Sequence, residues 1–135
     1  MRKKFFYFLI RNKYFIYSSF ALITFATLAL TLVPAENLGH SNLFQYDKAG
    51  HFLLFFFWTL SFGLLIMVKI PTATNIFWIM IAGSVFGTVI EVIQYAMPYG
   101  RNLDFFDVLA DILGSITAGF TLYYIKTRYK EIINP

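Results

Sequence analysis

Residues 76–111 read IFWIMIAGSVFGTVIEVIQYAMPYGRNLDFFDVLAD, and this stretch decides the fold. Its first part, Ile76 to Met97, is apolar apart from Glu91 and Gln94 and matches the roughly 20 residues that a helix needs to cross a hydrocarbon core. Pro98, Tyr99 and Gly100 supply a tight reversal. A second apolar run then extends from Phe105 to Ile125, carrying Asp107 and Asp111 near its start. In lipid every backbone N–H and C=O needs an internal partner, so such runs form helices rather than open strands. The stretch is therefore read as a membrane-spanning helical hairpin.

Two further runs precede it. Tyr14 to Val33 is uncharged and ends at Pro34; Gly50 to Val68 is crowded with Phe52, Phe55, Phe56, Phe57 and Trp58. Lys69, Ile70 and Pro71 turn the chain between the second and third runs, and the polar stretch through His40, Ser41 and Asn42 is a loop outside the membrane. The expected fold is an all-α integral membrane bundle of four transmembrane helices, about 14–33, 50–68, 76–97 and 105–125. A basic segment, 1–13, precedes this 14–125 domain and a basic tail, 126–135, follows it. Hydrophobic residues make up 59% of the chain, which is too apolar for a small soluble domain. With no cysteine, disulfide, thiolate-metal and cysteine-nucleophile chemistry are closed.

The net charge of +4 belongs to membrane topology rather than to nucleic acid, because no reading motif accompanies it. Arg2, Lys3, Lys4, Arg11, Lys13, Lys69, Lys126, Arg128 and Lys130 all fall on one side of four crossings, leaving Lys48 and Arg101 for the other. The positive-inside bias then places both termini in the cytoplasm of a bacterium, with the chain in its inner membrane. Tyr14, Tyr17, Trp78, Tyr95, Tyr99, Tyr123 and Tyr124 suit interfacial belts, whereas Trp58 lies mid-helix and does not. Phe5 to Ile10, between basic clusters, suits the inner membrane surface. Val33-Pro34-Ala35 also has the outline of a signal-peptide cleavage site, although the preceding run is long for one; cleavage leaves the other three crossings in the same orientation.

This topology gathers the polar residues in one outer layer. Glu91 and Asp107 are equally far along the chain from Tyr99, as are Gln94 and Asp104, so each pair is expected at similar depth. Gly83, Gly87 and Glu91 share a stripe with Gln94 beside it; Asp104, Asp107 and Asp111 share another that continues through Gly114 and Ser115. Small residues on those stripes allow close helix approach, so the acids point into the bundle. Asp47, His51 and Arg101 belong to the same layer. An acid inside a bilayer costs at least about 2.5–3.5 kcal/mol on insertion scales and marks a functional site by default. Adjacent carboxylates need a shared proton or a cation between them; Arg101, His51 and a divalent metal ion are the candidates. Purely structural roles stand beside these: Asp104 and Asp47 can cap their helices, Arg101 can anchor at the interface, and Gln94 can tie helices together. His40 is a bystander in a loop.

No hydrolase, zincin, P-loop or dinucleotide motif occurs; a zinc site built on His51 plus carboxylates is conceivable, but no residue is assigned as a metal ligand or to a cofactor. The pieces Asp47-Lys48-Ala49-Gly50-His51-Phe52, Glu91-Val92-Ile93-Gln94, and Arg101, Asp104, Asp107, Asp111 with Gly114 and Gly119 together resemble the VanZ-like family of bacterial membrane proteins. The resemblance spans about Tyr46 to Gly119. It implies a cell-envelope location and low-level resistance to teicoplanin, a glycopeptide antibiotic acting at the outer surface of the membrane, without supplying a reaction. Many relatives carry two adjacent acids where Ile90 and Glu91 stand here, which leaves open any mechanism needing a pair on that helix.

Three functions follow as expectations. The first is an outward-facing polar pocket, lined by Asp47, His51, Glu91, Gln94, Arg101, Asp104, Asp107 and Asp111, that binds or excludes an amphiphilic or lipid-linked ligand. The second is an enzyme acting on a lipid-linked phosphate or ester, with His51 or Glu91 as general base. The third is proton or ion translocation.

Overall fold

Four apolar runs form four helices, and the residues at their ends explain where each stops. The computed structural model describes residues 8, 12–32, 47–97 and 103–129. Helix α1 spans Lys13–Leu32, α2 Asp47–Lys69, α3 Ile76–Ala96 and α4 Phe105–Arg128. Each is long and apolar enough to cross a membrane, and no strand occurs among the described residues. A one-turn 3-10 helix, Pro71–Ala73, joins α2 to α3. Asn75 caps α3, its Oδ1 accepting from Phe77 N–H at 3.0 Å, and the Met97 N–H closes the other end on Ile93 and Gln94 carbonyls. The reversal at Pro98, Tyr99 and Gly100, the loop through His40, and the stretch Phe5 to Ile10 except Phe8 lie outside the described residues.

The chain runs up and down. Helices α2 and α4 lie parallel and share the most extensive contact, with α3 antiparallel against α4 and α1 packed on α2. Glycines set the α2–α4 and α3–α4 spacing. A Cβ on Gly114 would lie 2.3 Å from the Phe52 carbonyl oxygen and 3.0 Å from the Phe56 nitrogen, so α4 meets the α2 backbone itself there. On α3, Gly83 faces Thr59 and Ser115, and Gly87 faces Asp111. In lipid no hydrophobic force drives helices together, and such close packing replaces it.

The interior is polar at one end and dry at the other. At the dry end Met67, Ile79 and Leu122 form a buried cluster, flanked by Phe62 and Ile125 among others. Basic side chains gather there: Lys69 sits 5.9 Å from the Tyr17 ring centre, and Lys126 Nζ donates to the Thr74 carbonyl at 2.6 Å. Large apolar side chains such as Leu22, Phe25, Val85 and Phe120 point outward, as lipid as solvent requires. Trp58, which no interfacial belt explained, is instead a packing residue. It is buried, stacks on Phe62 and Phe86, and donates from Nε1 to Thr24 Oγ1 at 3.1 Å. A buried indole N–H needs such a partner.

One boundary matters for the site. Helix α2 starts at Asp47 rather than Gly50, which puts Lys48 one turn before His51 on the same face. The bundle depends on the close α2–α4 approach, so Gly114→Leu is expected to lower the thermal unfolding midpoint of the detergent-solubilised protein. Overpacking against backbone that cannot yield costs roughly 1–3 kcal/mol or more. An unchanged midpoint contradicts the packing described.

Candidate functional site

Polar side chains occupy two successive levels at the end where α2 and α4 begin and α3 finishes. The first level is an ion-pair network at the helix starts. Asp104 caps α4, its Oδ1 accepting from Phe106 N–H at 2.8 Å, while its Oδ2 accepts from Lys48 Nζ at 2.7 Å. The same ammonium donates to Asp107 Oδ1 at 3.0 Å. The Lys48 ammonium, and then the Phe106 amide, hold the Asp104 carboxyl below its ordinary value. Both acids stand where the α4 dipole favours negative charge. Lys48 and Asp104 are half exposed, whereas Asp107 is nearly buried. An exposed pair of this kind adds little stability, about 0–1 kcal/mol. Its effect is instead to fix the position of the two helix starts.

The second level lies one turn deeper and is buried. His51 Nδ1 is 3.0 Å from Asp111 Oδ1 and 3.5 Å from Glu91 Oε1. The three residues are 6%, 0% and 2% exposed and come from α2, α4 and α3 in turn. One nitrogen or oxygen from each lies within 4.8 Å of the others. With Asp111 ionised, Nδ1–H donates in this contact, and in the neutral ring Nε2 is then the acceptor.

Chain spacing and side-chain direction together explain this meeting. Gly87 and Asp111 are equally distant from Tyr99, as are Gly83 and Ser115, and both pairs face each other. By the same spacing Glu91 starts level with Asp107. Helical side chains lean toward their own N-terminus, however, so on antiparallel helices they lean in opposite directions. Glu91 reaches back over Gly87 to the Asp111 level, where its carboxylate approaches His51. Asp107 meets Lys48 instead. Glu91 and Asp107 thus start level on their helices, while the Glu91 carboxylate groups with His51 and Asp111 and Asp107 joins the outer network.

A third pair lies farther along α2 and α4. Thr59 Oγ1 donates to Ser115 Oγ at 3.1 Å, both residues being fully buried, and Gly83 packs on them. Beyond them the interior turns apolar at Leu122 and Met67. Gln94 stands aside from the acids: its Nε2 donates to the Thr31 carbonyl in the last turn of α1, where end carbonyls need a partner. It ties α1 to α3. Arg101 lies outside the described residues, as does the side chain of Asp47. Lys48, which the sequence offers within the Asp47–Phe52 piece but not among the expected site residues, joins the outer network; its signal is the i, i+3 spacing to His51 on a helix that starts at Asp47.

Chemically, the arrangement offers an imidazole held between two carboxylates, with an ammonium bridging two more acids at the helix starts. Such a set can bind cationic or hydrogen-bond-donating groups, move a proton at Nε2, or ligate a metal. Among comparisons with known proteins, the family model described as VanZ/LLP1 matches residues 5–127. No curated protein and no solved structure matches the chain.

If the His51–Asp111 contact joins α2 to α4 as described, the effects of His51→Ala and Asp111→Asn on unfolding are non-additive. A double-mutant cycle on thermal or denaturant unfolding is expected to give a coupling of about 0.5–3 kcal/mol. Additive effects would separate the two residues.

Proposed function

We propose, on the premise that the chain belongs to the VanZ/LLP1 family, that this multi-pass membrane protein works at the outer surface of a bacterial cytoplasmic membrane. There its polar end binds the head group of an amphiphilic ligand and lowers susceptibility to a lipophilic glycopeptide of the teicoplanin kind. The observation that carries this reading is the one-sided interior. Four acids, Lys48 and His51 cluster at one end of the bundle, and Met67, Ile79 and Leu122 fill the other.

Orientation supports the same reading. Lys13, Lys69, Lys126 and Arg128 lie at the dry end, and the positive-inside bias assigns that end to the cytoplasm. The polar end then opens outward. On this reading Asp104 and Asp107 receive cationic or donor groups of the ligand, and Arg101, between α3 and α4 in the sequence, attracts anionic ones. The apolar fill beyond Thr59 and Ser115 favours a one-sided binding site over a through-going ion pathway.

A second reading rests on the His51–Asp111 contact. A carboxylate on Nδ1 orients an imidazole so that Nε2 can accept a proton, as general bases in acyl and phosphoryl transfer require. On that reading the ligand is a lipid-linked phosphate or ester and His51 is the base, with Asp111 positioning it.

Susceptibility to teicoplanin tests the first reading. Cells expressing the wild type are expected to tolerate more antibiotic than cells without it. Glu91→Gln, Arg101→Ala and Asp107→Asn are expected to abolish the difference at equal membrane abundance. Absence of protection by an abundant wild type contradicts the resistance reading and leaves the lipid-linked substrate as the next assay.

A further inference from the structure

We infer that His51, Glu91 and Asp111 form a binding site for one divalent first-row transition-metal ion, of the zinc or manganese class. The inference stands apart from antibiotic resistance, since it concerns what the three side chains hold and not what the protein protects against.

Spacing is the first argument. Zinc takes imidazole nitrogen and carboxylate oxygen at about 2.0–2.2 Å, so two neighbouring ligands on one ion lie about 3.0–3.5 Å apart, depending on geometry. His51 Nδ1 is 3.0 Å from Asp111 Oδ1 and 3.5 Å from Glu91 Oε1, both within that range. The second distance is long for a good N–H···O bond, whose mode is near 2.9–3.0 Å, but suits two ligands of one ion. All three donor atoms fall within 4.8 Å of each other, and an ion there takes the place of the proton that Nδ1 otherwise donates to Asp111.

Donor chemistry and setting select the class of ion. One imidazole with two carboxylates is the mixed nitrogen and oxygen set that suits zinc, manganese or iron. Calcium, by contrast, takes six to eight oxygens, and magnesium keeps several waters. The donors come from three helices whose mutual positions are fixed around them. Gly87 packs directly on Asp111, and Thr59 and Ser115 bond to each other farther along α2 and α4. Two buried carboxylates on one imidazole repel each other in low dielectric, and an ion placed between them reverses the sign of that interaction. Three protein ligands leave at least one coordination position for a ligand atom, the arrangement of catalytic rather than structural zinc sites.

The test uses the full chain, purified in detergent with any tag removed and treated with a chelator. Calorimetric titration with Zn2+ and with Mn2+ is expected to show one equivalent bound, and Mg2+ is expected to compete poorly. Glu91→Gln and Asp111→Asn should each weaken binding by at least about tenfold, the loss that even an outer-shell change typically causes. Pulsed electron paramagnetic resonance of Mn2+ on the wild-type protein gives a readout independent of whether those variants fold. It is expected to show coupling to a single imidazole nitrogen, retained in His40→Ala. Failure to bind an equivalent of either ion, unchanged affinity in folded Glu91→Gln and Asp111→Asn, or bound Mn2+ without nitrogen coupling overturns the assignment.

Discussion

The contact between His51 and Asp111 is the constraint on which the rest of the bundle turns. Asp111 is fully buried in a helix that crosses a bilayer, where a carboxylate is tolerated only among partners. Providing those partners requires α2 and α4 to run parallel in close register. Gly114 meets that requirement by removing the side chain that would collide with the Phe52 carbonyl, and Gly87 does the same on the α3 side of Asp111. Thr59 and Ser115 continue the register farther into the membrane. The small residues and the acids therefore belong to one arrangement: without the glycines, the helices could not close around the charges.

The asymmetry of the interior follows from the same register. Each step along α2 and α4 away from their starts exchanges polar for apolar partners: the Lys48 network, then His51 with its carboxylates, then the two hydroxyls, then Leu122 against Met67. Helix α1 contributes differently. Its threonines bond mainly within their own helix, Thr27 to the Ile23 carbonyl and Thr31 to the Thr27 carbonyl, and it joins the core through Trp58–Thr24 and Gln94–Thr31.

Much of this is legible in the sequence, and the reasons are physical. The helices declare themselves because lipid tolerates few polar interruptions, so Glu91, Gln94, Asp107 and Asp111 stand out within apolar runs. The hairpin spacing that sets Glu91 level with Asp107 also accounts for the facing of Gly87 with Asp111 and of Gly83 with Ser115, because a short reversal leaves little freedom of register. What that ruler lacks is side-chain direction. It measures Cα positions, whereas Glu91 leans toward its own N-terminus, and its carboxylate approaches the His51 that Asp111 also holds. For Lys48 the sequence supplies the side of the membrane but not the partners: its ammonium joins α2 to the start of α4 because two acids stand there. Trp58, set apart from the interfacial belts by its mid-helix position, finds its hydrogen-bond partner in Thr24.

The most direct measurement of the α2–α4 register exploits the absence of native cysteine. Thr59→Cys combined with Ser115→Cys, oxidised in native membranes, should close an intramolecular disulfide, visible as the loss of two hydrogens in the intact mass. Phe57→Cys with Ser115→Cys should not, because Phe57 faces outward. A disulfide in the first pair alone places α2 and α4 in the register that brings His51 to Asp111. Equal cross-linking of both pairs, or none in the first while the protein remains folded in the membrane, contradicts that register and with it the site.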